Sequence, residues 1–304
     1  MTIHVVGNVC VDTTFRLERL PRPGETLNAL AADEGPGGKG ANQAVAGSRT
    51  GAEVILWAPV GKDAASAWVE SVIAPEISAL RLTRLDPACD RSVILVDGSG
   101  ENVIVTAAAC AEAFDPLAMS ELRQTWVAGD MLLMQGNLRP DMTNACLRAA
   151  REAGLFTVLN PSPLPAEPLD LSVVSLIVVN RPEAEALTGE ADPEQAARVL
   201  ATGGAASVIV TLGAEGALLL EAKTAVHLPA RRVVAVDTSG AGDCFAGTLA
   251  GLLAQGASLS TAATIATEAA GIAVGRPGTL ASFPTRAEVS ALTKTTRLEN
   301  EAST

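Results

Sequence analysis

The sequence predicts an α/β fold: one core built on a mostly parallel central sheet, with a small β lid drawn from about residues 12–36 and 88–110. Short apolar runs such as "IHVVG", "EVILWAPVG", "DMLLMQG" and "LIVVN" alternate with helical stretches. Strands separated by helices pair parallel, because the crossover needs that length of chain. In contrast, "ALRLTRL", "RSVILVDG" and "NVIVTAAA" follow one another with no helix between, which marks a separate antiparallel patch. No Pro/Ser-rich linker or internal repeat divides the 304 residues, so 1–304 reads as a single domain with a substantial core.

Each element follows from its pattern. "IHVVG" is a buried strand, and "LNALAADEGPGGKG" is a strand giving way to a glycine-rich loop before the helical "ANQAVAGSRTGA". "EVILWAPVG" and "DAASAWVESVIAPE" repeat strand and helix. After the lid segments, "DMTNACLRAAREAG" is helical, "LFTVLNPSP" a strand and loop, "LIVVN" a strand and "RPEAEALTG" a helix. "SVIVTLGAEGALLL" reads as strand, turn, strand, and "LSTAATIATEAAGIAVGR" as a late helix. The polar "TKTTRLENEAST", 293–304, is expected to fray.

Composition narrows the function. With 22 Lys and Arg against 34 Asp and Glu, the formal net charge is -12, which argues against a nucleic-acid-binding face. No basic run offers a patch for an anionic membrane, and no apolar stretch approaches spanning length. An acidic chain that handles a polyanion must gather backbone donors locally or take a metal ion with its substrate, and a magnesium-bound nucleotide meets that demand. The five cysteines are odd in number, scattered and without a C-x-x-C pair, so a reducing cytoplasm is the expected home. Met1 leads straight into "IHVVG", so no targeting signal is read. Two histidines, neither near a nucleophile elbow, exclude a histidine-rich metal site and point to a carboxylate as any general base.

Four stretches carry candidate chemistry. In "VDTSGAGDCFAG", Gly240, Ala241 and Gly242 precede Asp243 at a helix start, where free N–H groups and the helix dipole suit a phosphate or an oxyanion. The same residues also serve an ordinary cap. "GPGGKGANQ" is no Walker loop, since Gly40 follows Lys39 where Ser or Thr is needed, and Gln43 breaks a dinucleotide fingerprint at its third position. Gly38, Lys39 and Asn42 remain as a loop suited to a polyhydroxylated ligand, or as a plain turn into a helix. Asp12 in "GNVCVDTTF" lies past the first strand, at the carboxyl edge where α/β folds bind ligands, or is a solvated turn residue. In "NRPEAEAL", Asn180 and Glu183 are spaced for magnesium held through water or for a capping box. Thr211, Gly213 and Gly216 in "TLGAEGALLL" suit nucleotide phosphates or a hairpin.

Taken in order, "PGGKGANQAVA", "NRPEAE", "TLGAEG", "DTSGAGDCFAG" and "AVGRPGTLASFP" closely resemble the ribokinase-like (PfkB) family of carbohydrate kinases over nearly the whole chain. The resemblance implies a three-layer α/β sandwich, a β lid that closes on sugar and often forms a homodimer, ATP as phosphoryl donor, and magnesium. By carry-over, Asp243 takes a proton from the sugar hydroxyl, and the N–H groups of Gly240, Ala241 and Gly242 form the anion hole. Asp12, Gly38, Lys39 and Asn42 match sugar-binding positions; Asn180, Glu183, Thr211, Gly213 and Gly216 fall to the nucleotide and magnesium. Asp237, Ser239, Ala273, Gly278 and Ser282 occupy the positions at which many ribokinases hold potassium. Phosphoryl transfer fits such a set, since it asks mainly for positioning and charge stabilisation.

Three departures bear on the substrate. Cys10 stands where ribokinases typically carry a sugar-contacting Asn, Asn137 where a Glu is usual, and "AACAEAF", with Ala109, Cys110 and Ala111, where another Asn is expected. Lost partners leave particular hydroxyls unpaired and shift specificity. The expected activity is therefore phosphorylation of a primary hydroxyl on ribose or a related pentose or ketose. A nucleoside kinase of the same fold and a non-catalytic sugar or nucleotide sensor are the alternatives.

Overall fold

The computed structural model describes residues 1–100 and 102–302, the side chains of 297–302 excepted. Its strands are β1 (Ile3–Val6), β2 (Cys10–Arg16), β3 (Ala31–Gly37), β4 (Val54–Val60), β5 (Ala79–Arg84), β6 (Asp90–Val96) and β7 (Asn102–Ala107) in the first third. They continue as β8 (Met131–Gln135), β9 (Phe156–Asn160), β10 (Leu176–Asn180), β11 (Ser207–Thr211), β12 (Ala217–Glu221) and β13 (Thr224–Leu228). The helices are α1 (Lys39–Arg49), α2 (Ala64–Ile73), α3 (Ala109–Ala113), α4 (Ser120–Gln124) and α5 (Pro140–Glu152). After them come α6 (Arg181–Thr188), α7 (Pro193–Thr202), α8 (Ala241–Ala254), α9 (Leu259–Val274) and α10 (Arg286–Ala302).

Nine strands form the central sheet in the order β13-β12-β11-β10-β9-β8-β1-β4-β5, parallel from β11 to β5 and antiparallel at β12 and β13. Strand residues alternate between two cores, as the pleat requires. Val5, Leu133 and Val178 face the side covered by Val45 of α1, Leu249 of α8 and Ile265 of α9. Val6, Met134 and Val179 face Leu147 of α5 and Leu200 of α7. Burial on both faces explains why these strands read as unbroken apolar runs. The result is the expected three-layer α/β sandwich.

The second sheet, β3-β2-β6-β7, is the expected lid. Its pairs β2–β3 and β6–β7 are antiparallel, but β2 and β6 run parallel. β5 is a correction: "ALRLTRL" lies in the central sheet, parallel to β4, and not in the antiparallel patch. The helix that decides its place is α2 before it, which makes β4-α2-β5 a crossover unit. The polar tail from 293 belongs to α10, which runs to Ala302. Thr285 and Glu288 exchange backbone-to-side-chain bonds at its start, and Val289 is buried. That anchors a helix nucleus from which the polar residues propagate. Residues 303 and 304 lie outside the described residues. Among the described residues no helix is long and apolar enough to cross a membrane.

Candidate active site

Asp243 is the centre of the site. Gly240 caps α8 with a left-handed φ of 75°, and a Cβ there would meet Thr279 Cγ2 at 2.5 Å, so the turn admits only glycine. The turn sets Asp243 in the first helical turn with 4% of its surface exposed. Asn42 Nδ2 donates to its Oδ2 at 3.0 Å and Gln43 Nε2 to its Oδ1 at 2.9 Å. Lys39 Nζ stands 3.8 Å from Oδ1. All three come from the start of α1, where Gly38, at φ 95°, passes so close to Asn8 that a Cβ would lie 2.8 Å from its carbonyl oxygen. Gln43, which reads in the sequence only as a flaw in a dinucleotide fingerprint, is held in turn. Gln135 Nε2 donates to its Oε1 at 3.0 Å, and it donates to Asn160 Oδ1 at 2.9 Å. Gln43, Gln135 and Asn160 are among the site residues that sequence reasoning misses.

Two cavities meet at this carboxylate. The larger, about 710 Å³, is lined by Cys10, Asp12, Gly38, Lys39, Asn42 and Asn137, and reaches Asp243. The smaller, about 320 Å³, is lined by Asn180, Glu183, Thr211 and Gly242, and also reaches Asp243. Lys39, Ser239 and Gly240 line both.

In the larger cavity, Asn42 Oδ1 and Asn137 Oδ1 are buried without a hydrogen-bond partner, as acceptors awaiting hydroxyls would be. Burial pushes the Asp12 carboxyl above the ordinary carboxylate range, against the opposing pull of hydrogen bonds from Cys10 and Ser92. Cys10 Sγ donates to Asp12 Oδ1 at 3.0 Å and lies 3.5 Å from Ser92 Oγ. Burial, and then the Asp12 charge, push that thiol well above its ordinary range, so it stays protonated. Its one hydrogen is spent on Asp12. Ser92 and Thr106, bonded to each other at 3.0 Å, and Glu112 also line this cavity, and nothing in the motif reading marks them. Cys110 and Ala111 are instead buried away from it, their N–H groups bonded to Asp90.

In the smaller cavity, Asn180 and Glu183 form the capping box: Asn180 Oδ1 accepts from the Glu183 N–H at 2.8 Å, and Glu183 Oε2 from the Asn180 N–H at 2.9 Å. The carboxylate keeps lone pairs for metal-bound water, so the donor set fits hydrated magnesium. A Cβ at Gly242 would meet nothing within 4 Å, which leaves room for an anion against the helix start. The Ala241 N–H donates to the Thr238 carbonyl at 3.3 Å and is the least free of the expected anion-hole donors. Gly216 lies off the cavity; the Leu212 N–H donates to its carbonyl, and a Cβ on it would lie 2.0 Å from the Leu228 carbonyl oxygen, so its role is the hairpin. Gly213, in the same turn, is exposed. Among the described residues no group of three or more His, Cys, Asp or Glu is placed to hold a metal ion.

Three residues of the set expected for potassium, Asp237, Ser282 and Ala273, are already engaged in hydrogen bonds. Asp237 accepts from the Ser239 N–H at 3.0 Å, the Gly278 N–H at 3.1 Å and Arg16 Nη2 at 2.9 Å. Ser282 Oγ donates to the Thr279 carbonyl at 2.7 Å, and the Ala273 carbonyl accepts from the Arg276 N–H at 3.0 Å. Burial acts to raise the Asp237 carboxyl, but these bonds outweigh it and hold it below the ordinary range.

Comparison with known proteins agrees with this architecture. The chain is 33% identical over 295 residues to a ribokinase of Mus musculus, covering 93% of this chain and 91% of that one. It is 32% identical over 295 residues to a deoxyribokinase of Salmonella typhi, covering 93% and 96%. The crystal structure of a ribokinase from Thermotoga maritima superposes with a TM-score of 0.84 at 30% identity, over 96% of this chain and 99% of that one. The model of the pfkB family carbohydrate kinases matches residues 2–286. With the match running from β1 to the start of α10 and taking in both cavities, the chain belongs to the pfkB family of carbohydrate kinases.

Proposed function

We propose that this protein transfers the γ-phosphoryl group of ATP to a primary hydroxyl of a sugar, ribose or a related pentose or ketose. One observation carries the reading: a buried carboxylate, Asp243, stands at the junction of a polar cavity suited to hydroxyls and a second cavity that opens on a helix start. In this reading Asp12, Asn42 and Asn137 bind and orient the sugar. Asp243 accepts the proton of the attacking hydroxyl on a lone pair left free by Asn42 and Gln43, which fix the carboxylate in place. The N–H groups at the start of α8, with Lys39, face the charge that develops on the transferring group. Magnesium, when bound with the nucleotide near Glu183, neutralises phosphate charge.

The names of the relatives, ribokinase and deoxyribokinase, put a pentose first. Cys10 argues that ribose itself is not the best substrate, because a thiol already committed to Asp12 gives a hydroxyl beside it no strong partner. A second reading, a nucleoside acceptor, has a specific basis: Ile94, Ile104, Leu138 and Leu164 give the larger cavity an apolar wall beyond what a sugar ring needs. ATP consumption across pentoses, 2-deoxypentoses, ketoses, polyols and nucleosides tests both. A pentose or ketose other than ribose with the highest kcat/KM is expected; a panel led by ribose refutes the Cys10 argument, and one led by a nucleoside selects the second reading.

A further inference from the structure

The lid holds the turn before the anion hole through a charged side chain. Arg16 ends β2, and its Nη2 lies 2.9 Å from Oδ2 of Asp237, 221 residues away. Asp237 is 1% exposed. On the same turn, Asn102 Nδ2 of β7 donates to Ser239 Oγ at 3.2 Å, and Thr238 Oγ1 donates to the Gly100 carbonyl at 3.3 Å. Two lid strands therefore grip residues 237–239, immediately before Gly240. A carboxylate buried this deeply needs a cationic partner, and here the cation is covalently part of the chain. Guanidinium does not lose its charge, and its planar fork directs N–H groups at a fixed oxygen. The same oxygen also accepts from the Gly278 N–H at 3.1 Å, so two donors already occupy it.

We propose that Arg16 replaces the monovalent cation: it is a positioning residue that neutralises Asp237 and holds the turn leading into the anion hole, so that turnover does not depend on potassium. The proposal rests on the kinase reading for its rate measurements, but not for its stability measurements.

The test compares the full chain with Arg16→Met, titrating KCl against choline chloride at constant ionic strength. The wild-type kcat is expected to change by less than about twofold, since its cation is built in, whereas Arg16→Met loses at least about tenfold and regains most of it in KCl. Melting temperature is read in the same two salts. The wild type melts alike in both; Arg16→Met melts several degrees lower in choline chloride and recovers in KCl. If Arg16→Met does not fold, Arg16→Gln, which keeps an N–H donor, carries the same expectations. Strong potassium activation or stabilisation of the wild type overturns the proposal. So does a variant that KCl restores in neither rate nor melting temperature, because Arg16 would then be a structural tie only. Should no acceptor in the panel be phosphorylated, the kinase reading falls, and the melting temperatures still decide the role of Arg16.

Discussion

Gln43 Nε2 lies 2.9 Å from Oδ1 of Asp243, and this bond ties the start of α1 to the first turn of α8. The amide is fully committed: it donates also to Asn160 and accepts from Gln135. Asn160 in turn donates to the Val178 carbonyl on β10, so the orientation of Asp243 is referred to the central sheet. Two amide donors, Asn42 and Gln43, therefore fix the orientation of the carboxylate.

Gln43→Ala is expected to lower kcat about tenfold or more while leaving the sugar KM within a few-fold, because a hydrogen bond to a charged group is worth about 1.5–3 kcal/mol. Steady-state kinetics separate the two parameters. A change confined to KM would mean that Gln43 contacts the sugar and does not orient Asp243.

Asp12 makes substrate affinity depend on pH. Burial raises its carboxyl above the ordinary range, so on acidification it protonates earlier than an exposed aspartate and loses acceptor capacity for hydroxyls. The sugar KM is expected to rise as pH falls through that raised value. Stability runs the other way: the folded state binds the proton more tightly, so stability falls as pH rises from the ordinary carboxylate value to the raised one. Asp12→Asn is thus expected to melt above the wild type at neutral pH, with the gap closing in acid. Melting curves and KM across pH check both, and a gap that widens in acid contradicts the assignment.

Glu288 sets an acid limit on the fold. The Arg276 hydrogen bond, with help from Thr285, lowers its carboxyl to about 2. A depressed acid adds stability that is complete above its unfolded pKa and is lost as pH falls toward about 2. Glu288→Gln should therefore melt below the wild type at neutral pH and converge with it near pH 2. The group is exposed enough that solvent screening keeps the neutral-pH difference small.

Gly247 sets the distance between α1 and α8. A Cβ on it would lie 2.3 Å from the Gln43 carbonyl oxygen and 2.7 Å from Ala46 Cβ. Gly247→Ala is expected to cost about 1–3 kcal/mol of stability by overpacking. Because the displaced residue is Gln43, kcat should fall with it. Denaturant unfolding and kinetics on the same preparation test the link; full activity with lowered stability would separate the helix contact from the site.

The parallel core is legible in the sequence because its strands are buried on both faces and separated by helices, so "LIVVN" and "DMLLMQG" carry their own assignment. The edge strand β5 is not, since "ALRLTRL" has the same alternation whether it borders the core or the lid; only the crossover through α2 decides. In the site, the glycine turns before Asp243 and Lys39 are visible because their backbone demands are local. Gln43, Asn160 and Arg16 are hidden for the opposite reason. Their partners lie 200, 117 and 221 residues away, and a polar residue in a helix, strand or lid carries no local mark of a distant carboxylate or amide. The capping box at Asn180 and Glu183 is legible as a cap, but the cavity it lines is assembled from distant parts of the chain, with Lys39, Asn102 and Gly240 completing it.

The most direct test of the whole account is ADP formation by wild type and Asp243→Asn with magnesium, ATP and the best acceptor of the sugar panel. The account predicts a folded variant with an unchanged melting profile and a kcat lower by about 10²–10⁴-fold, the range for a positioned general base. A folded Asp243→Asn that turns over at near wild-type rate would contradict it, and would remove Asp243 from the chemistry at the junction of the two cavities.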